Sequence, residues 1–422
     1  MLVLCCAARL CLSGMKVGLY IGGGTSPRVG GGHTFVIELL SALDRMRDRC
    51  NHELTLCYYK SSEEIARQFT SFPCLNLDAA RAEVSSKKER YLERLPNFVQ
   101  RTYRFVQVRH YRAPVASVED RLYLRAGIQF IVQLNPFAAL STNIPFATTL
   151  WDLEHRNSPW FPEVGLLQEW NARENMYAFL RRAAMIYTGT HQGLLQITSY
   201  YQVPADRIKV LPFGTPAFAL AASEKPSNPE LIRKYNLCAE YIFYPAQFWP
   251  HKNHILVLEA CKIIGEMTAW TPDVVFVGAD KGNLSYVQEY ARRLGLADRV
   301  RFLGFVDQRD LVQLYRGAFC LAYPSFFGPD NLPPLEALAI GCPVVAADVP
   351  GAREQLGEAA LFFPPTQETK LAEAILSLRN RESRERLVLA GHARTKSHRW
   401  DDYALRVIKS LDEFAAIRRA WA

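Results

Sequence analysis

Short runs of β-branched and aromatic residues alternate along this chain with stretches whose apolar positions recur every three or four residues. The alternation predicts βαβ units and parallel sheets rather than hairpins or a helical bundle. In the first half, strands are expected at residues 17–21, 54–59, 130–134, 146–151, 185–188 and 208–211, with an amphipathic helix over 34–43. The second half is more regular, with strands expected at 241–244, 274–277, 300–303, 320–323, 344–347 and 361–363. A connection rich in Pro, Ala and Ser at 213–229 separates the halves, and 400–420 reads as a closing helix. The fold class expected is therefore α/β with two Rossmann-like, doubly wound domains. The first would take residues 15–215, the second 216–399, and 400–422 would cross back to the first, with 1–14 a disordered or over-extended start. In such sheets ligands bind at the carboxyl ends of the strands.

Composition narrows this picture. A chain of 422 residues, 49% hydrophobic and 22% charged, is too long for one ordinary core and suits two domains of about 200 residues. No apolar run reaches the ~18 residues of a membrane span. The ten cysteines include no C-x-x-C pair, which points to a reduced, cytoplasmic chain without a zinc site. The opening MLVLCCAARLCLSG has no charge before its apolar part and is interrupted by Arg9. A secretion signal is disfavoured, and Met15-Lys16 makes a better beginning.

The net charge of +8 is concentrated in residues 81–125, where eleven Lys or Arg face five Asp or Glu. Arg101, Arg104, Arg109 and Arg112 lie in the middle of this segment, with Tyr91, Phe98, Tyr103, Phe105 and Tyr111 interleaved. Two readings stand side by side: a solvated helical insertion, or a basic surface that docks on anionic lipid headgroups.

Three loops can carry chemistry. The first, residues 22–33, is glycine-rich and leads into a helix, an arrangement that lets backbone approach an anion closely. Its spacing is neither G-x-G-x-x-G nor a Walker A loop, so a nicotinamide or P-loop site is unsupported. The second runs from Tyr244 through Gln247 to Lys252, leaving a strand at the mouth of the second sheet, where a lysine can neutralise a diphosphate. The third is the stretch from Tyr323 to Pro343, YPSFFGPDNLPPLEALAIGCP. Here a strand ends, a turn follows, and a helix starts near Pro333, where the missing amide costs little. Any anion-binding amides must come from Asp330, Asn331 and Leu332, because two prolines follow. Glu336 sits early in this helix, where it could hydrogen-bond sugar hydroxyls. Asp152 and His155, just past a strand end, are polar candidates in the first-domain wall, and a structural role for His155 stands at equal weight. No D-x-D pair occurs, so no metal is expected.

The segment LPPLEALAIGCPVVAADVPGAREQLG resembles the signature of family 4 of the retaining glycosyltransferases, which have the GT-B fold. WDLEH, TGTHQGLLQI, RIKVLPFG, QFWPHKN, VFVGAD and RVRFLGFV follow in the order of that family's landmarks. The resemblance implies that Lys252 holds the donor diphosphate and that Glu336, the second glutamate of an E-x7-E motif, binds the nucleotide ribose. It also places Asp330–Leu332 against the transferred sugar and distal phosphate, Phe305 and Val306 against the base, and Gly31 and Gly32 against the donor from the other domain. Three positions depart from the family pattern: Gly328 replaces the first motif glutamate, Gln247 the arginine that partners the lysine, and Trp151-Asp152 a His-Asp pair.

The activity implied is transfer of a sugar, mannose or a related hexose, from a nucleotide-diphosphate sugar to an acceptor hydroxyl. The acceptor would be a lipid-linked glycan in bacterial surface polysaccharide synthesis. No cofactor, metal or nucleic-acid partner is expected, and an anionic membrane surface on the cytoplasmic face is a candidate partner. Two alternatives are a nucleotide-sugar 2-epimerase of the same fold and a non-catalytic sugar-nucleotide-binding protein.

Overall fold

The computed structural model describes residues 14–22, 30–84, 117–136, 140, 142–222, 233–237 and 240–421. The middle of the basic segment, with Arg101, Arg104, Arg109 and Arg112, lies outside the described residues, as do 1–13, most of the glycine loop and part of the 213–229 connection.

Two sheets form. One has seven strands in the order β3-β2-β1-β4-β5-β6-β7, and the other six in the order β10-β9-β8-β11-β12-β13. The strands of the first are β1 (Lys16–Gly22), β2 (Glu53–Tyr58), β3 (Cys74–Asn76), β4 (Phe130–Gln133), β5 (Phe146–Thr149), β6 (Met185–Thr188) and β7 (Ile208–Val210). Those of the second are β8 (Tyr241–Pro245), β9 (Asp273–Val277), β10 (Val300–Phe302), β11 (Cys320–Tyr323), β12 (Val344–Ala347) and β13 (Ala360–Phe363). The pairs β1–β2, β1–β4, β8–β9 and β8–β11 are all parallel. Their residues are buried on both faces because helices cover each side, so the strands read as continuous apolar runs in the sequence.

The described residues divide into two compact units. One is drawn from Met1–Thr25, Leu40–Thr148 and Ala404–Ala422, the other from Ser26–Leu39 and Thr149–Tyr403. In the first unit, the end of the helix Trp400–Arg418 is tied down at two points. Phe414 packs on Phe130 of β4 at 4.6 Å, and His52 Nε2 lies 3.2 Å from Asp412. His52 Nδ1 accepts from the Met15 amide, which puts the ring hydrogen on Nε2, the nitrogen nearer the carboxylate.

The second unit contains the whole six-stranded sheet. The chain starts at β8, builds outward to β10, then returns to the other side of β8 for β11 to β13. Strand order therefore reverses between β8 and β11, and a crevice opens at their carboxyl ends. The loops after β8 and β11 are those that carry Lys252 and Gly328–Glu336.

Candidate active site

Lys252 closes a single 3-10 turn, Pro250–Lys252, after β8. The turn is braced from several sides. Tyr244 donates its hydroxyl to the Lys252 carbonyl at 2.8 Å, and the Phe326 amide donates to the His251 carbonyl at 2.9 Å. Asn253 donates Nδ2 to Pro324 O at 3.2 Å and Pro365 O at 2.9 Å. The half-buried ammonium of Lys252 lies 3.3 Å from Tyr323 Oη and 3.4 Å from Ser325 Oγ, both at the end of β11. Burial pushes its pKa down to about 8 against the pull of Asp152 and Glu163. No carboxylate among the described residues forms an ion pair with it. A cation held this way gains more from an incoming anion than an exposed, already paired lysine would.

Across the switch point, the loop after β11 is clamped by Gln355. Gln355 Nε2 donates to Asp330 Oδ1 at 2.6 Å and to Asn331 O at 2.9 Å, while its oxygen accepts the Asn331 amide at 3.0 Å. One of the three amides expected to meet an anion is thus engaged within the protein. Asp330 Oδ2 accepts the Phe213 amide at 3.3 Å, and burial raises this carboxyl well above its usual range. Asn331 takes the Tyr323 hydroxyl at 2.8 Å and donates to the Gly328 carbonyl. Gly328 has φ 121°, and a Cβ there would sit 2.5 Å from Asn331 Oδ1. Backbone and neighbour alike reserve position 328 for glycine, so the missing glutamate is built into this loop and is not a local accident.

Glu336 lies in the helix Leu332–Ile340, whose residues are buried apart from Pro333. Tyr315 donates to Glu336 Oε2 at 2.8 Å. Burial raises the Glu336 pKa to about 7, opposed by that hydrogen bond and reinforced by Glu38. Leu332 is buried, and a Cβ on Gly31 would come within 3.9 Å of its Cδ1. Gly31 therefore stands over the start of this helix, while Gly32 lies so close to Trp151 that a Cβ would be 2.9 Å from the indole. Gln247 accepts the Trp249 indole N–H at 3.0 Å. Beyond β10, Val306 is buried while Phe305 is 67% exposed, an open aromatic face where the resemblance places the base.

The expected wall residues part company. Asp152 is half-buried, pairs with Arg173 Nη1 at 3.0 Å and lies near enough to Lys252 to act on its charge. His155 has no exposed surface. Its Nε2 lies 2.7 Å from Glu174, which also takes Arg156 Nε at 2.6 Å and the Tyr201 hydroxyl at 3.0 Å. Of the two readings of His155, this burial and pairing support the structural one. Entry into the turn Glu154–Asn157 rotates it inward, onto Trp170 and Tyr177. Two residues that sequence reasoning did not single out join the site. His251 was visible as the neighbour of Lys252, whereas Glu163 carries no local signal and arrives through the fold.

An α/β chain with two parallel Rossmann-like sheets, a cation and a buried acid at the switch point of the second, has the GT-B fold class. Residues 229–394, which include Lys252, Gly328 and Glu336, match the family described as "Glycosyl transferases group 1". Among curated relatives, the O-antigen chain mannosyltransferase B of Escherichia coli is 27% identical over 243 residues, 56% of this chain and 62% of that one. The chain thus spans less than two thirds of that relative's length. Among solved structures, a glycosyltransferase from Rickettsia africae superposes with TM-score 0.66 at 14% identity, covering 96% of this chain and 99% of its own. HepE of Anabaena, solved in complex with UDP, gives TM-score 0.65 at 17% identity, covering 94% of this chain and 100% of its own.

Proposed function

We propose that this protein is a retaining, metal-independent glycosyltransferase of family 4. It would move a hexosyl group from a nucleoside-diphosphate sugar to a hydroxyl of a glycan acceptor. The observation that carries the reading is Lys252, a half-buried cation without a carboxylate partner among the described residues, at the crevice where a doubly wound sheet binds ligands. Glu336 supports it as a lone acid in an otherwise apolar helix, a costly arrangement in a purely structural element. In this reading Lys252 and nearby amides stabilise charge on the departing diphosphate, the role a metal plays elsewhere. Among the described residues no pair of carboxylates is placed as nucleophile and acid–base couple, so the proposed transfer proceeds on the front face, with the leaving phosphate taking the acceptor proton.

Mannose is the donor sugar favoured by the names of the curated relatives, and the proposed acceptor is a lipid-linked glycan of a surface polysaccharide. No helix among the described residues is long and apolar enough to cross a membrane. The basic sequence of residues 81–125 is the proposed contact with a lipid-borne acceptor on the cytoplasmic face.

Thermal-shift titration against UDP-, GDP- and dTDP-sugars is the first test, since a ligand that binds only the folded state raises the melting temperature by mass action. Binding of one nucleotide class, followed by transfer with retained anomeric configuration by NMR, is the expected result. No shift with any donor would reject the reading.

A further inference from the structure

One side chain beside Lys252 is bonded on one side only. Phe161 packs against Phe326 at 5.3 Å and Phe327 at 5.6 Å, which seats the short helix Pro162–Gly165 next to the Pro250–Lys252 turn. Glu163 Oε1 then accepts twice from the same residue, from the His251 amide at 2.9 Å and from His251 Nδ1. The Glu163 side chain is only 5% exposed, yet its second oxygen, Oε2, is buried with no partner. Burial opposes its ionisation, but the His251 donors outweigh that and hold its pKa below the usual range. Oε2 is therefore an oxygen of a charged carboxylate without a donor. A contact that merely fastened two loops would need only Oε1, and leaving Oε2 bare costs about 1–3 kcal/mol or more.

His251 adds a second acceptor. A carboxylate can only accept, so Nδ1 carries the ring hydrogen and Nε2 presents a lone pair. Burial and the Lys252 charge push the imidazole pKa down to about 4, so the ring is neutral at physiological pH. Its face stacks on Phe327 at 3.9 Å, one residue before Gly328. Glu163 and His251 thus bring two acceptors within electrostatic reach of the Lys252 ammonium. Lys252 suits a phosphate, whereas Glu163 Oε2 and His251 Nε2 require hydrogen-bond donors. A hexosyl group carries neutral hydroxyl donors within a few bonds of its phosphate.

We propose that Glu163 and His251 are sugar-recognition residues, whose free acceptor atoms take hydroxyl hydrogens of the hexosyl group while Lys252 holds its diphosphate. The assignment rests on the glycosyltransferase reading above. It also supplies a carboxylate next to a loop that excludes one at position 328.

The test compares wild type, Glu163→Gln and His251→Asn by calorimetry against UDP, GDP, dTDP and the corresponding glucose, galactose and mannose donors. Glutamine keeps the shape and an oxygen for His251, and asparagine keeps an N–H for Glu163. Either variant is expected to bind the bare nucleoside diphosphate within about twofold of wild type. Each should bind the sugar donor about tenfold more weakly, the size of one lost hydrogen bond to the sugar. Donors lacking one hydroxyl at a time locate the contact. At the position read, removing the hydroxyl should cost wild type about as much as Glu163→Gln does, and should cost that variant nothing more. Equal loss of diphosphate and sugar donor in both variants, or no loss with either ligand, would overturn the assignment. If Glu163→Gln does not fold, the His251→Asn comparison decides. Wild type that binds none of these ligands rejects the glycosyltransferase reading itself, a different outcome from wild type that binds and variants that bind equally well.

Discussion

Tyr315 donates its phenolic hydrogen to Glu336 Oε2 at 2.8 Å, and both side chains are enclosed by apolar residues of the helix Leu332–Ile340 and the strands beneath it. A single neutral donor does not repay the burial of a carboxylate, and the Glu336 pKa rises accordingly to about 7. The folded state holds this proton more tightly than the unfolded state, whose value is near 4.5. Stability is therefore favoured at acid pH and declines as pH rises from about 4.5 through about 7, above which the full penalty applies.

Glu336→Gln follows from that sign. The amide still accepts from Tyr315 and cannot ionise, so the variant should be more stable than wild type at pH 8, by an amount on the order of 2–3 kcal/mol. At pH 5 the difference should shrink towards zero. Donor affinity should fall in the same protein, because a charge-assisted bond to the ligand is lost. Urea denaturation at the two pH values, with calorimetry of the donor, checks both halves. A variant that loses stability and keeps donor affinity would make Glu336 structural.

Lys252→Ala should lower turnover at saturating donor by about 2 kcal/mol or more of transition-state stabilisation, comparable to removing one preorganised donor. Lys252→Arg should also be impaired, since a planar fork does not replace a point charge set between Tyr323 and Ser325. The pKa near 8 adds a pH signature. If the protonated form binds the diphosphate, as proposed, affinity should weaken as pH climbs through about 8, and Lys252→Ala should lose that limb. Near-normal turnover of the alanine variant would remove Lys252 from the diphosphate site.

Much of the fold was legible because parallel strands are buried on both faces. The apolar runs at 185–188, 320–323 and 344–347 coincide with β6, β11 and β12. β3 escaped because Cys74-Leu75-Asn76 is a three-residue strand without a fully buried position. The Lys252 and Glu336 loops were legible because each leaves an apolar run and enters a helical pattern, the second within a recognisable motif. The Glu163–His251 contact joins residues 88 apart in sequence, and no local pattern marks it. Nor does any pattern tell that His155 turns inward, since one turn of helix decides which way a side chain points.

Gly328→Glu tests whether the loop would accept the acid that stands there in the motif this segment resembles. At φ 121° an L-residue is strained, and its Cβ would collide with the Asn331 carboxamide that braces Tyr323. Activity should fall rather than improve, with a lower melting temperature. A gain in turnover would mean that Gly328 is a simple deletion of function that the loop can reverse.

Glu174 gives the sharpest test of the inward assignment of His155. Its carboxylate gathers Arg156, His155 and Tyr201, and these donors outweigh burial to hold its pKa below the usual value. A lowered pKa means that its contribution is present above the unfolded value near 4.5 and is lost as pH falls through the folded value. Glu174→Gln should therefore destabilise the protein at pH 7 by about 2–3 kcal/mol, less than the cost of breaking a fully buried pair because the side chain is 21% exposed. The deficit should narrow in acid, where wild type loses the same charge. Turnover per folded molecule and KM for the donor should stay close to wild type, because His155 has no exposed surface and Glu174 is engaged by Arg156, His155 and Tyr201. A variant with normal stability and turnover lowered a hundredfold would instead return His155 to the reaction, with Glu174 orienting its ring.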